Sequence, residues 1–261
     1  MAKFLVFDLY GPFQSWGQQA VNVTRPTDAY PTKSGVLGLV AAALGIPREQ
    51  EAEHQRLQRS LGYGVCTLST GHLARDYHTV QMPESRRKLT HHTRKSELSD
   101  PGNLKTILTQ RDYRGDAFYV VALWQQNHDA PLEAIAHALK SPTFYLSLGR
   151  RSCVPCLPLG PTLREADTLA QAFKDHVAAY AEKKAAPLRP LLRQLQPWPK
   201  DEAHSFRTAW DSFPHHGMDQ HLHIETRRDG PGSKTAWTFS NRSEHVGFLN
   251  LPSPYSKIKE A

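Results

Sequence analysis

The stretch that most constrains the fold runs from Gly11 to Gly45 and follows a short apolar run, Phe4–Leu9. The bulky side chains of that run favour a half-buried β-strand. After a long loop, apolar residues recur at helical spacing, Ser34 suits the N-cap position, and Gly45 with Pro47 fits a helix end. The sequence therefore predicts a strand, a long loop and one short apolar helix, in that order.

Two features at the start of this predicted helix favour a binding role. Arg25 and Lys33 lie shortly before it, where free N–H groups and the helix dipole favour an anion. Gly35 and Gly38 each cost roughly 1 kcal/mol against Ala inside a helix, which indicates that another group approaches the backbone closely. A plain strand-to-helix connection with incidental charges explains the same residues, so these patterns alone leave both interpretations open.

The first part of the chain continues with elements that alternate in a familiar order. Together with the first strand and helix, they follow the order βαββαβ, the ferredoxin-like plan that RNA recognition motifs share. We therefore predict an α+β, ferredoxin-like (RRM-like) domain over residues 1–155. The further predicted elements are strands at 63–69, 117–124 and 143–146, and helices at 49–59 and from 131.

The segment from Arg75 to Asp116 is polar and lacks sustained apolar periodicity. A structureless loop of about 40 residues is rare inside a compact domain, so we interpret residues 75–116 as a projecting arm or hairpin. Between Ser85 and Ser96 it carries five cations and no acid, which favours phosphate contacts, although a solvated loop also carries such charges. The cations are Arg86, Arg87, Lys88, Arg94 and Lys95.

The remainder of the chain, residues 156–261, has a different pattern. Thr162 and Glu165 match a capping box, which predicts a helix continuing to about Lys184. Prolines at four positions within 187–199 predict a stiff connector. A smaller β-rich C-terminal region is then predicted, with strands at 205–210, 221–226 and 235–239.

Charge and cysteine content narrow the class of protein. Lys and Arg outnumber Asp and Glu by 32 to 25, a net charge of +7, which favours a polyanionic partner. Three cysteines, an odd number, fit a reducing cytoplasm better than a disulfide framework. Neither an apolar signal segment nor a run of 18 apolar residues appears, so we expect a cytoplasmic protein with no membrane span.

Three blocks of sequence carry a family resemblance: GPFQSWG, TRPT and YPTKSGVLG within 11–38, RDYHTV at 75–80, and LGRRSC at 148–153. They resemble the RAMP superfamily of CRISPR-associated proteins, and within it the CasD family of type I-E Cascade subunits, which hold the 5′ handle of the guide RNA (crRNA). The resemblance covers roughly the first 155 residues. It implies an arm that packs on the guide and on a backbone subunit, a contact with the large subunit, and target DNA contacted only indirectly.

The resemblance and the charge pattern together define candidate RNA-binding residues. Arg150 and Arg151 follow a glycine turn and suit bidentate phosphate contacts, and the resemblance places this turn against the 5′ handle. Trp16 and Tyr77 lie in predicted loops, where aromatic rings can stack on unpaired bases. The full set is Trp16, Arg25, Lys33, Ser34, Tyr77, His78, Arg86, Arg87, Lys88, Arg94, Lys95, Arg111, Arg150, Arg151 and Ser152.

Other functions stay open from sequence alone. Tyr77 and His78, with a lysine such as Lys88, can in principle cleave precursor crRNA by metal-independent acid–base chemistry. The type I-E subunits that this chain resembles bind without cutting, so we predict a non-catalytic protein. A basic assembly protein without RNA contact is the third interpretation. Cys153 and Cys156 form a lone CxxC pair that raises zinc binding as an alternative, but we predict neither a metal nor a cofactor.

Overall fold

The computed structural model describes residues 1–18, 20, 23–83, 90–127, 130–181, 204–230, 232–233, 236 and 238–251. Within them the strands are β1 Ala2–Tyr10, β2 Phe13–Gln14, β3 Thr24–Arg25, β4 Leu61–Ser69, β5 His72–Pro83, β6 Leu104–Gly115, β7 Phe118–Gln125, β8 Thr162–Ala166, β9 His204–Trp210, β10 Gln220–Gly230 and β11 Ser240–Leu251. The α-helices are α1 Lys33–Leu44, α2 Glu51–Ser60, α3 Arg94–Glu97, α4 Leu132–Lys140 and α5 Leu169–Ala178. Short 3-10 helices occupy Pro101–Asn103 and Ala179–Ala181.

A seven-stranded antiparallel sheet forms the centre of the molecule, in the order β10-β11-β9-β4-β7-β1-β8. Successive side chains of a strand point to opposite faces, so β1 contributes to two separate cores. Leu5 and Phe7 pack with α1, α2 and α4 on one face, whereas Phe4 and Val6 pack with α5 on the other. The mixed α/β class predicted from the sequence is confirmed in this coarse form.

The first strand and the first helix agree with their predictions, but the cap of the helix differs. Thr32, not Ser34, is the N-cap, and its hydroxyl accepts a hydrogen bond from the Gly35 N–H at 3.1 Å. Ser34 lies inside α1, two residues after the cap. Gly45 closes the helix with a φ of 74°, which is the left-handed conformation that glycine tolerates best.

Two predictions between residues 143 and 184 are wrong. Residues 143–146 form no strand; the N–H groups of Thr143 and Phe144 instead bond the last carbonyls of α1. The proposed capping residues Thr162 and Glu165 lie in β8, which pairs antiparallel with β1. Helix α5 begins later, after Thr168, whose hydroxyl accepts from the Gln171 N–H. Pairing with a buried strand outweighs the local helix signal here.

The polar segment after residue 71 forms a second, four-stranded sheet. Strands β5 and β6 build a hairpin with twelve paired positions, from His72 opposite Gly115 to Pro83 opposite Leu104. At its base, β2 pairs antiparallel and β3 parallel with β6. Among the described strands, only β5 pairs with residues 104–109 of β6. Most side chains of this outer part of the hairpin are exposed, on both faces of the two strands.

The C-terminal strands extend the central sheet. Strand β9 pairs with β4, and β11 pairs with both β9 and β10, so the predicted β-rich region shares one sheet with β1. The strand predicted at 235–239 includes positions outside the described residues, and β11 begins at Ser240. The proline-rich connector at 187–199 also lies outside them, and the division into domains stays a prediction. No described helix is long and apolar enough to cross a membrane.

Candidate nucleic-acid interface

A cleft of about 890 Å³ lies beside helix α1. Ser34, Gly38 and Ala42 recur at a spacing of four, so they line it from one face of the helix. A Cβ added to Gly38 would meet no atom within 4 Å, so the groove reaches the helix backbone. The remaining walls come from described residues within 15–18, 20 and 25–28, from the turn at 147–150, from strand β10 and from Phe239.

The cleft carries an excess of positive charge. Four arginines line it, Arg25, Arg150, Arg227 and Arg228, against two aspartates. Both aspartates are engaged in ion pairs, because Asp28 lies 2.8 Å from Arg227 and Asp229 pairs with a buried arginine of β11. Arg25 and Arg228 are exposed. An open groove with this lining suits a polyanion better than a cation or an apolar ligand.

The turn predicted as the best phosphate site is held rigidly at the edge of the cleft. The Arg150 guanidinium donates to the carbonyl of Asp112 at 3.2 Å and to that of Arg25 at 2.9 Å, and lies 4.7 Å from the centre of the Tyr113 ring. Gly149 has a φ of 90°, and an added Cβ would lie 1.7 Å from the Ser15 carbonyl oxygen. Arg150 therefore ties the turn to β3 and β6 while it lines the cleft.

The other two predicted residues of this turn, Arg151 and Ser152, are exposed beside it. They belong to the same loop as Arg150 but are not part of the cleft lining. The turn therefore offers one cation that is fixed by carbonyl groups and one that extends into solvent. Phosphate contact by Arg151 and Ser152 stays a prediction.

Lys33 does not take the role predicted for it. Its ammonium group lies 2.7 Å from the Asp211 carboxylate, and both side chains are buried. Its backbone N–H donates to Asp229 at 2.7 Å. A buried, paired ammonium cannot meet a phosphate without losing this ion pair, which corrects the prediction of an anion contact through Lys33.

Trp16 is likewise placed in the core. Its side chain is fully buried, its ring packs edge-on against Tyr119, and its indole N–H donates to Gln14 at 3.2 Å. The ring has no accessible face for a base, so the predicted stacking role is wrong for this conformation. The Trp16 side chain instead attaches its loop to the core of the protein.

A buried ionic cluster connects the start of α1 to the C-terminal strands. Arg242 lies 2.8 Å from Asp211 and 2.7 Å from Asp229, and also contacts Glu244. Burial raises the pKa of Glu244 and of Asp28. Long-range ion pairs of this kind fix the loop before α1 against β9–β11. The ionic cluster consists of Asp28, Tyr30, Lys33, Asp211, Glu225, Arg227, Asp229, Arg242 and Glu244.

The predicted residues of the hairpin form a separate group. Tyr77 lies in β5 rather than in a loop, and 57% of it is exposed. His78 follows it and therefore points to the opposite face, where its Nε2 atom lies 2.6 Å from Asp76. Arg111 stands opposite Asp76 on β6 and beside Arg25 of β3, so it connects the hairpin base with the cleft.

Near the tip of the hairpin, Arg94 pairs with Glu97 at 2.6 Å and donates to the Gln81 carbonyl, which attaches α3 to β5. Lys95 is exposed. The cations at 86–88, namely Arg86, Arg87 and Lys88, lie outside the described residues. The structure thus brings Arg25, Ser34 and Arg150 together at the cleft, with Arg111 beside Arg25. The other described candidates of the hairpin, Tyr77, His78, Arg94 and Lys95, are not part of the cleft lining.

The sequence analysis missed the contribution of β10 to the cleft. Arg227 and Arg228 are consecutive in β10 and directly precede Asp229. Two adjacent arginines directly after the strand predicted at 221–226 are a detectable signal, but their proximity to α1 depends on the order of strands in the central sheet. Sequence spacing of about 190 residues between these elements gives no indication of that contact.

Comparison with known proteins agrees with this geometry. The model of the family described as CRISPR-associated protein (Cas_Cas5) matches residues 4–233. The chain belongs to the Cas5 family. Within this family, the chain is 37% identical over 169 residues to the CRISPR system Cascade subunit CasD of Escherichia coli (strain K12), a match that spans 61% of this chain and 70% of that protein. The resemblance predicted from the three sequence blocks is therefore confirmed.

Two solved structures are similar to this chain over nearly its whole length. One, titled CRISPR RNA-guided surveillance complex, superposes with a TM-score of 0.63 and 25% identity, covering 96% of this chain and 91% of that one. Another, titled Crystal structure of Cas protein, has a TM-score of 0.53 and 25% identity, with 99% and 100% coverage. The similarity to these two structures thus extends over the C-terminal strands, which the three sequence blocks do not reach.

Proposed function

We propose that this Cas5-family protein is a subunit of a Cascade surveillance complex and that its cleft holds the 5′ handle of the crRNA. The observation that carries the proposal is the cleft itself, which places four arginines beside an open, small-residue face of α1. The match to CasD supports Cascade as the setting. Other Cascade subunits, including the backbone and large subunits, are the expected protein partners.

Single-stranded RNA fits this cleft chemically. Its phosphates would meet Arg25 and Arg228, which are exposed at the rim. The absence of side-chain bulk at Gly38 lets a ribose or a phosphate approach the helix, and the Ser34 hydroxyl can donate to it. The ionic cluster keeps Arg227 and the loop before α1 in place, so the RNA would meet a preformed surface.

We propose further that β1, β4, β7 and β8, with α1 and α4, form a ferredoxin-like unit and that the hairpin is its arm. The antiparallel order β4-β7-β1-β8 supports the first part. Val80, Met82 and Ile107 are exposed, and the register places them on one face of the outer hairpin. This apolar face, with the exposed Lys95 nearby, suits contact with a neighbouring subunit and its RNA.

We propose that the protein does not cut RNA. A Tyr–His pair would have to act on one ribose phosphate, whereas Tyr77 and His78 occupy successive positions of β5 and point to opposite faces of the hairpin. The contact of His78 with Asp76 gives that imidazole a structural partner. The endoribonuclease alternative therefore lacks an assembled pair of catalytic groups among these residues.

A titration tests the cleft. The purified chain is mixed with 5′-labelled repeat-derived RNA without magnesium at two salt concentrations, and anisotropy and a denaturing gel are recorded. Arg228→Ala and Arg25→Ala should each weaken binding and lower the salt slope by about 0.7, the contribution of one single-strand phosphate contact. Arg59→Ala, an exposed arginine on α2 outside the cleft, is the matched control and should leave both unchanged.

The gel separates the two functions. Intact RNA at every protein concentration agrees with a binding subunit. A discrete product from the wild-type chain would favour the endoribonuclease instead, and Tyr77 and His78 would then be substituted. Equal loss of affinity in the Arg59→Ala variant would show that binding follows overall charge and not the cleft.

A further inference from the structure

A group of imidazoles that the proposed function does not use surrounds Trp210, at the end of β9. His216, His221 and His245 have ring centroids 5.2, 5.8 and 5.7 Å from that of Trp210. The rings of His221 and His245 lie 5.2 Å apart. We call these three residues the histidine cluster. His221 and His245 lie on the outer strands β10 and β11, and His216 lies between β9 and β10; none of the three lines the cleft.

The closest contact in the histidine cluster joins His245 Nδ1 and His221 Nε2, which are 3.2 Å apart. One N–H···N hydrogen bond accounts for this distance when no ion is bound. Two imidazole nitrogens that bind one tetrahedral Zn²⁺ at 2.0–2.1 Å also lie about 3.3 Å apart. The pair therefore has the spacing of a chelate without any movement of the two strands.

The two histidines differ in how firmly the surrounding residues hold their rings. His245 is half-buried and stacks on the fully buried Trp210 with an interplanar angle of 21°. His221 is exposed on β10. Strands β10 and β11 pair antiparallel around both residues, with His221 opposite Gly247 and Ile224 opposite His245. An ion from solvent can thus reach a site whose ligands are carried by adjacent strands.

The neighbouring polar groups have other partners. His216 Nδ1 accepts the Met218 N–H at 3.0 Å, so its neutral ring carries its proton on the other nitrogen and is not a third ligand. Asp219 accepts the Asn250 N–H at 2.7 Å. Asp211 belongs to the ionic cluster.

We propose that His221 and His245 chelate a divalent transition ion of the Zn²⁺, Ni²⁺ and Cu²⁺ group through Nε2 and Nδ1. Imidazole nitrogens are the ligands that these ions prefer. No three His, Cys, Asp or Glu side chains converge on one point in the described part of the chain. The protein therefore supplies two ligands, and water completes the coordination. The CxxC pair at 153–156 takes no part in this site.

The test uses the full chain without an affinity tag, with Zn²⁺ added in isothermal titration calorimetry and in thermal melts. Wild type should bind one ion and melt at a higher temperature with Zn²⁺. His221→Gln and His245→Gln should each weaken binding at least tenfold. His223→Gln, an exposed histidine on the same strand, and Cys156→Ser should bind as wild type does.

A second measurement covers the case in which His245→Gln disturbs folding, since that ring packs on Trp210. Cu²⁺ bound at the pair should quench part of the tryptophan emission, through the adjacent Trp210, in wild type and in His223→Gln but not in His221→Gln. The exposed His221 ring meets Trp210 only edge-on, with centroids 5.8 Å apart, so this substitution removes less packing than His245→Gln. Binding that is unchanged in His221→Gln, or absent from the wild type at millimolar Zn²⁺, would overturn the proposal.

Discussion

Replacing Asp211 by Asn removes one charge from the ionic cluster while keeping the shape of the side chain. The carboxylate pairs with Lys33 at 2.7 Å and with Arg242 at 2.8 Å, and it accepts the Tyr63 N–H at 3.1 Å. An amide can still accept from Tyr63, but it leaves the buried Lys33 ammonium without a carboxylate partner at its closest contact. The variant thus isolates the electrostatic contribution of one carboxylate.

The expected loss is large because both members of the Lys33–Asp211 pair are buried, with side-chain exposures of 7% and 8%. Removing one partner of such a pair costs about 3–5 kcal/mol of unfolding free energy. For a chain of this size, that lowers the melting temperature by roughly 6–20 °C. Adding Lys33→Met removes the unpaired charge, so the double variant should recover about 1–3 kcal/mol of the loss.

Wild type, Asp211→Asn, Lys33→Met and the double variant form a double-mutant cycle. Urea unfolding of these four proteins measures the differences in the free energy of unfolding, provided that the m-value stays constant. Glu53→Gln is the matched control, because Glu53 pairs with Arg56 on the exposed surface of α2 and should change stability little. A loss below about 1 kcal/mol for Asp211→Asn, or a further loss on adding Lys33→Met, would refute the argument that this buried pair fixes α1 to the C-terminal strands.

Four other perturbations follow from the structure. Gly149→Ala should lower the free energy of unfolding by more than about 1 kcal/mol, because Gly149 has a positive φ and lies close to the Ser15 carbonyl oxygen. Gly38→Ala should raise the free energy of unfolding by about 0.5–1 kcal/mol and yet weaken RNA binding. Thermal melts measure the change in stability, and anisotropy measures the change in RNA affinity. Arg75 lowers the pKa of Asp112 through a hydrogen bond, so the pair stabilises the folded protein. This stabilisation is complete above about pH 4, the ordinary pKa of an aspartate, and is lost as the pH falls through the lowered pKa of Asp112. Unfolding of Arg75→Gln should therefore be less sensitive than wild type to acidification from about pH 5 to about pH 2. Removal of Pro83–Pro101 should leave the melting temperature unchanged, and global unfolding would show that the hairpin tip belongs to the core.

The strongly patterned elements could be predicted from the sequence. Strand β7 is a continuous apolar run buried on both faces, and α4 shows Leu132 and Ile135 at helical spacing, so local pattern and tertiary packing agree. Strand β8 could not be predicted, because its residues Thr162–Ala166 resemble a capping box and become a strand only through pairing with β1. The predicted N-cap of α1, Ser34, was two residues too late, because Thr32 and Ser34 both have hydroxyl groups that can cap a helix.

The site was predicted only in part. Arg25, Ser34 and Arg150 lie together at the cleft because they belong to sequence blocks that enclose α1. Lys33 was misassigned because its partner Asp211 is 178 residues away in sequence, and a basic residue at a helix start has the same local pattern whether it is buried or exposed. Arg227 was missed for the same reason, since its place in the cleft depends on the order of strands in the central sheet.

Nuclease footprinting of the crRNA in a reconstituted Cascade complex, with and without this Cas5 subunit, tests directly whether the cleft holds the 5′ handle. We expect the wild-type subunit to protect the 5′ handle, and Arg59→Ala to protect it fully. A subunit that carries both Arg25→Ala and Arg228→Ala should assemble but leave the handle cleavable. Full protection of the handle by the double cleft variant, or no change in protection when the subunit is omitted, would show that the cleft does not hold the handle.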